Sequence, residues 1–243
     1  MTNLDVTYFS SGLELAQTAA RDWLSLLPGS PSAHLVAFSG GRIAGAFFEA
    51  ITEHAVLSGT SFEHVHFFWA DERCVPPEHP ESNFRIANQE LLGPLGISQD
   101  KIHRLRGECE PDLAVAEANA EIGLIAPTNS AGLPVLDLVF LGMGEDGHIA
   151  ALFPTAPASV LECELPYLAV RSSSKPPPMR MSLSYAAIAA ARQVWVMIAG
   201  PGKQEAFRQS LSPDGRTPLA RVLLSRSRTR IFAEMALNPD PAP

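Results

Sequence analysis

The sequence predicts an α/β fold: an open, mostly parallel, doubly wound sheet with helices on both faces. Three observations carry that expectation. Short, almost wholly apolar runs recur along the chain, as strands covered on both faces require. Stretches of helical character alternate with them, the order that builds βαβ units. Small and charged residues follow the runs directly, and open α/β sheets bind ligands outside the carboxyl ends of their strands.

In chain order, residues 12–27 are the first expected helix and residues 34–38 (HLVAF) the first strand. A helix over 43–57 returns the chain to a second strand at 65–69 (VHFFW). Ser82 is a good N-cap residue, so a helix is expected over 82–92, with Asn83 and Arg85 in its first turn. Helix 111–125 leads to strand 136–141 (LDLVFL), and a further strand is expected at 167–170 (YLAV). Helix 182–191, strand 194–199 (VWVMIA), helix 202–209 and strand 229–233 (TRIFA) complete the pattern. There is no internal repeat and no long linker, so residues 1–243 are read as a single domain.

Composition narrows the class. Of 243 residues, 46% are apolar and 18% charged, ample for a buried core and unlike a disordered chain. The net charge of −8 argues against nucleic acid as a partner, because backbone binding rests on clustered Lys and Arg. An anionic substrate must then be caught by a local basic pocket. Five arginines near the C-terminus (Arg216, Arg221, Arg226, Arg228, Arg230) are read as a solvated or interface face. Cys74, Cys109 and Cys163 are too few and too scattered for a disulfide framework or zinc site. His64 and His66 share a strand face but lack a third ligand. No secretory pattern opens the chain, and no apolar run approaches the roughly 18–20 residues of a membrane span. A cytoplasmic protein, without a membrane partner, is expected.

Five strand ends carry the candidate chemistry. The first runs into Ser39-Gly40-Gly41-Arg42, where glycines and a helix start can present N–H groups to an anion. The second runs into Asp71-Glu72-Arg73; Arg73 is a planar donor for a substrate oxygen, with a carboxylate to hold it. The third runs into Gly142-Met143-Gly144-Glu145-Asp146-Gly147-His148. There Asp146, or alternatively Glu145, is positioned to fix the His148 ring so that His148 acts as a general base. The last two run into Arg171-Ser172-Ser173-Ser174-Lys175 and Gly200-Pro201-Gly202-Lys203. The proline run after Lys175 stiffens a segment carrying Lys175 and Arg180. Lys203 opposes the dipole of the helix that it starts, which a bound phosphate explains.

Taken in order, FSGG, WADERCVPPEHPESNFRIANQELL, LGMGEDGHIAALFP, KPPPMRMSLS and GPGKQEAF resemble the 6-phosphogluconolactonases of the glucosamine/galactosamine-6-phosphate isomerase-like family. The resemblance spans residues 38–207. The related deaminases share SGG and DGH but continue after DGHIA with an FNEP-like ending and usually carry DEY; ALFP and DER fit the lactonase branch. One departure stands out: the family's glycine loop generally reads GGSTP, whereas here Arg42 follows Gly40-Gly41.

The resemblance implies hydrolysis of 6-phospho-D-glucono-1,5-lactone to 6-phosphogluconate in the oxidative pentose phosphate pathway, with no metal or organic cofactor. His148, Asp146 and Arg73 are the expected catalytic residues. Gly40, Gly41, Arg42, Asp71, Lys175, Arg180 and Lys203 are the expected substrate and phosphate contacts. The expected partner is a small phosphorylated sugar lactone, and the expected assembly a monomer or small homo-oligomer. Two rivals remain at this stage: an amino-sugar-phosphate deaminase or isomerase, and a non-catalytic sugar-phosphate sensor.

Overall fold

A computed structural model describes residues 3–27, 32–171, 173 and 175–237. Its first half contains β1 (Asn3–Phe9), α1 (Gly12–Leu24), β2 (His34–Phe38), α2 (Arg42–Ser58), β3 (Val65–Trp69) and β4 (Asp71–Arg73). These are followed by α3 (Asn83–Ala87), which runs on as a π-turn over Asn88–Leu92, then β5 (Ile102–His103), α4 (Pro111–Ile125) and β6 (Leu138–Gly142). The second half holds α5 (Ala158–Leu161), β7 (Tyr167–Val170), β8 (Arg180–Leu183), α6 (Tyr185–Ala190) and β9 (Gln193–Ile198). It closes with α7 (Gln204–Leu211), α8 (Pro218–Ser225) and β10 (Arg228–Glu234).

Seven strands form one parallel sheet in the order β1-β10-β9-β6-β2-β3-β5. From β2 the chain winds outward through β3 to β5, and from β6 it winds the other way through β9 and β10. The winding therefore reverses between β2 and β6, which is where a doubly wound sheet opens a crevice for ligands. The core is one continuous apolar cluster. Trp23 of α1 is fully buried among Phe38, Phe67 and Phe140, edge-on to each ring at 5.6, 6.5 and 5.7 Å. Such pairs add roughly 0.5–1.5 kcal/mol each beyond area burial, and they fix the sheet that presents the β2 and β6 loops.

Three expectations need correction. Residues 167–170 form a strand, but in a separate antiparallel sheet of order β4-β8-β7. Helix 182–191 begins late: Ser182 and Leu183 belong to β8, and Ser184 caps α6 by accepting from the Ala187 N–H at 3.1 Å. The small sheet takes these residues because β8 has a partner on each side, which outweighs their helical spacing. The C-terminal arginines are not simply a solvated face. Arg226 is buried and donates to the carbonyls of Ile188, Ala189, Ala191 and Arg192, tying down the end of α6. Arg230 pairs with Asp22 and lies over Trp195 and Phe232. Among the described residues, no helix is long and apolar enough to cross a membrane.

Candidate active site

The loops after β2 and β6 meet in a pocket at the reversal point, closed on its other sides by β4, β8 and the start of α7. Its lining includes Ser39, Gly40, Gly41, Arg42, Asp71, Arg73, Gly144, Glu145, His148, Lys175, Arg180 and Lys203. Of the expected catalytic and contact residues, His148, Arg73, Gly40, Gly41, Arg42, Asp71, Lys175, Arg180 and Lys203 lie on this surface, and Asp146 does not. Five cations face two carboxylates, Asp71 and Glu145, so a chain of net charge −8 carries a locally positive pocket. That is the local basic trap that the acidic composition demands of an anion-binding protein.

Asp146 sits behind His148, and its carboxylate accepts a hydrogen bond from the His148 Nδ1–H. The same oxygen also accepts from the His148 backbone N–H at 3.3 Å. The ring packs on Phe153, with centroids 4.6 Å apart. With Nδ1 occupied, Nε2 is the nitrogen left for chemistry. Burial opposes ionisation of Asp146, but the hydrogen bond and charge of His148 bring its carboxyl down to about 2. The orienting anion is thus ionised throughout the neutral range. Lys175 Nζ stands 3.9 Å from the same carboxylate oxygen. Of the two carboxylates, Asp146 is the one bonded to the His148 ring; Glu145, the alternative, pairs instead with Arg42 across 103 residues of sequence.

Gly144 makes this arrangement possible. A Cβ there would overlap Cε1 and Nδ1 of His148 and lie 2.8 Å from Asp146 Oδ1. Gly144→Ala is therefore expected to displace the ring and lower kcat/KM by roughly 10²-fold, the cost of about 1 Å of misplacement. Its thermal unfolding midpoint should stay near wild type, because the clash is with a partly exposed ring and no unusual φ is involved. Steady-state kinetics paired with thermal unfolding checks both parts.

β4 splits its three charged residues by alternation. Asp71 and Arg73 line the pocket, while Glu72 is buried on the other side under α3. Glu72 accepts from the N–H groups of Arg73, Asn83 and Phe84 at 2.7, 2.7 and 2.8 Å, and from Ser82 Oγ at 3.0 Å. Burial pushes its carboxyl above the usual range, against the pull of those N–H donors. Its work is clamping β4 to the start of α3, and the carboxylate that holds the Arg73 guanidinium is Glu81, 3.2 Å from Nη1. Asn83 lies in the first turn of α3, as the Ser82 cap predicts. Its Nδ2 donates to the Asp71 carbonyl at 2.8 Å, and its side chain fills the space beside Gly40 that any Cβ would need. Nothing in the sequence near Asn83 signals that contact, since Gly40 lies far away in the chain.

Arg180 pairs directly opposite Arg73 across β4 and β8, and like charges so placed are destabilising. Arg180 is buried, and its guanidinium is anchored on the carbonyls of Pro177, Pro176 and Lys175 at 3.1, 3.1 and 3.4 Å. Two guanidiniums are thus held on the pocket wall against their mutual repulsion. Arg171 turns out of the pocket to pair with Asp112, and Ser172 and Ser174 lie outside the described residues.

Lys203 is the N-cap residue of α7, only 7% exposed. Burial, and next the nearby Arg42 charge, bring its ammonium down to about 8. The charge is present below that pH and lost as pH rises through it. For an anionic substrate, kcat/KM should fall above about pH 8, and kcat should fall less because bound phosphate holds the proton on. A pH profile of Lys203→Met, which should lose this limb, checks the assignment.

Comparison with known proteins identifies the family. Residues 12–231 match the family described as glucosamine-6-phosphate isomerases/6-phosphogluconolactonase. A 6-phosphogluconolactonase of Streptomyces coelicolor is 34% identical over 186 residues, covering 74% of this chain and 71% of its own. One of Mycobacterium tuberculosis is 35% identical over 202 residues, covering 73% and 81%. Among solved structures, a 6-phosphogluconolactonase from Trypanosoma brucei superposes over the full length of both chains with a TM-score of 0.87 at 24% identity, a likeness of fold.

Proposed function

The chain belongs to the family of glucosamine-6-phosphate isomerases and 6-phosphogluconolactonases, and from that premise we propose that it is a lactonase, hydrolysing 6-phospho-D-glucono-1,5-lactone to 6-phosphogluconate. The observation that carries the reading is the Asp146–His148 pair, set at the edge of a pocket lined by five cations. The relatives named as lactonases support it at 34–35% identity.

A lactone is an activated ester, so water is a sufficient nucleophile. His148 Nε2 takes a proton from water as its oxygen bonds to C1. The carbonyl becomes an oxyanion, for which Arg73 and the backbone around Gly40 and Gly41 are the donors. When the oxyanion collapses, the bond from C1 to the ring oxygen breaks and His148 returns the proton to that oxygen. The product acid then ionises. Cys74 takes no part, because burial pushes its thiol up to about 11. Lys203 and Arg180 hold the phosphate, assisted by Arg42 and, at longer range, Lys175. Asp71, buried on the pocket wall, accepts from a sugar hydroxyl. The same reading places the enzyme in the cytoplasm, acting on a soluble metabolite as a monomer or small homo-oligomer.

The test compares substrates. Acceleration confined to the phosphorylated lactone, with little effect on glucono-1,5-lactone, is expected. Equal acceleration of both, or ammonia release from glucosamine 6-phosphate, overturns the reading.

A further inference from the structure

Two helices, α2 and α7, start at the pocket, and each begins with a cation. Arg42 is the first residue of α2, whose cap, Gly41, makes no side-chain hydrogen bond; Lys203 caps α7, also without one. Helix starts favour anions, and cations there oppose the dipole. The arrangement makes sense only with negative charge between them. In this structure that charge is Glu145. Its carboxylate pairs with Arg42 and lies beside Gly202, where an added Cβ would come within 3.2 Å of Glu145 Cδ. Lys203 itself makes no ion pair among the described residues.

We infer that Glu145 is an internal stand-in for the substrate's phosphate: it occupies the anion position between the starts of α2 and α7 and competes with phosphate for Arg42 and Lys203. The inference rests on the lactonase reading for the identity of the phosphate, but the competition itself is a property of the site. Both side chains are at least half exposed, 63% for Arg42 and 50% for Glu145. An ion pair so exposed is weak, and a phosphate carrying nearly two charges displaces it. The carboxylate then turns to solvent, driven off by the like charge. Arg42, which stands where the family's loop generally has serine, is the residue that makes the exchange electrostatic. Glu145 therefore sets a ceiling on phosphate affinity, which discriminates against singly charged carboxylates and eases departure of the phosphorylated product.

The test is calorimetric titration of the wild-type protein and Glu145→Gln with inorganic phosphate, alongside KM for the lactone. The variant is expected to bind phosphate about three- to fivefold more tightly, the scale of an exposed ion pair, with KM falling by a similar factor. Glu145→Ala should move in the same direction. Unchanged or weaker phosphate binding in both variants overturns the inference, since a residue that only holds Arg42 in place would give that result. The titration needs no turnover. Tighter phosphate binding in a protein that does not hydrolyse the lactone sinks the lactonase reading and leaves this inference standing, whereas an active lactonase without tighter binding does the reverse.

Discussion

His148→Asn is expected to lower kcat on 6-phospho-D-glucono-1,5-lactone by roughly 10²- to 10⁴-fold, the contribution of a placed general base. Asn keeps a polar group near Asp146 but cannot accept the proton of water and return it to the leaving oxygen. The proposed phosphate contacts, Lys203, Arg42 and Arg180, come from other elements and stay in place. KM should therefore shift by much less than kcat, the pattern of an interaction made chiefly in the transition state. The His148 side chain is partly buried (16% exposed) and lies at the pocket rim, so folding should persist. The measurement is the decay of lactone formed in situ, corrected for the spontaneous rate and followed at several lactone concentrations. A variant as fast as wild type would remove His148 from the mechanism.

Glu72→Ala should have the largest effect on stability. Its carboxylate satisfies three backbone N–H groups and the Ser82 hydroxyl under α3, and an unsatisfied buried donor costs about 1–3 kcal/mol. Relief of the buried charge offsets part of this, since burial already disfavours the ionised carboxyl. A net loss of about 3–5 kcal/mol is expected, because removing one member of a buried network leaves its partners uncompensated. For a chain of this size that lowers the thermal midpoint by about 10 °C. Catalytic efficiency should drop as well, because Arg73 and Asn83 both hang on the same clamp. A midpoint within about 2 °C of wild type would show that the β4–α3 junction does not depend on Glu72.

Much of this fold was legible because parallel strands advertise themselves. HLVAF, VHFFW and LDLVFL are apolar on both faces, and each became a central strand or most of one. Their ends carried the site residues for the same topological reason, and the pocket gathered residues from the loops after β2 and β6. The small antiparallel sheet was hidden by its composition. Asp71-Glu72-Arg73 has no apolar character, and it forms a strand only because β8 lies beside it. β1 carries no continuous apolar run because an edge strand is only half buried: Leu4, Val6 and Tyr8 are partly covered. α8 has a readable start in Thr217-Pro218, an N-cap followed by proline, but the surrounding arginines mask its apolar face. The Arg42–Glu145 pair joins residues 103 positions apart, and no local pattern announces such a contact.

In the proposed mechanism a pocket of five cations around the Asp146–His148 pair accelerates opening of a phosphorylated sugar lactone by water. The most direct test forms 6-phospho-D-glucono-1,5-lactone from glucose 6-phosphate in the presence of the wild-type protein and records its disappearance. Decay well above the spontaneous rate, proportional to protein concentration and yielding 6-phosphogluconate, is the predicted result. Decay at the spontaneous rate would contradict it.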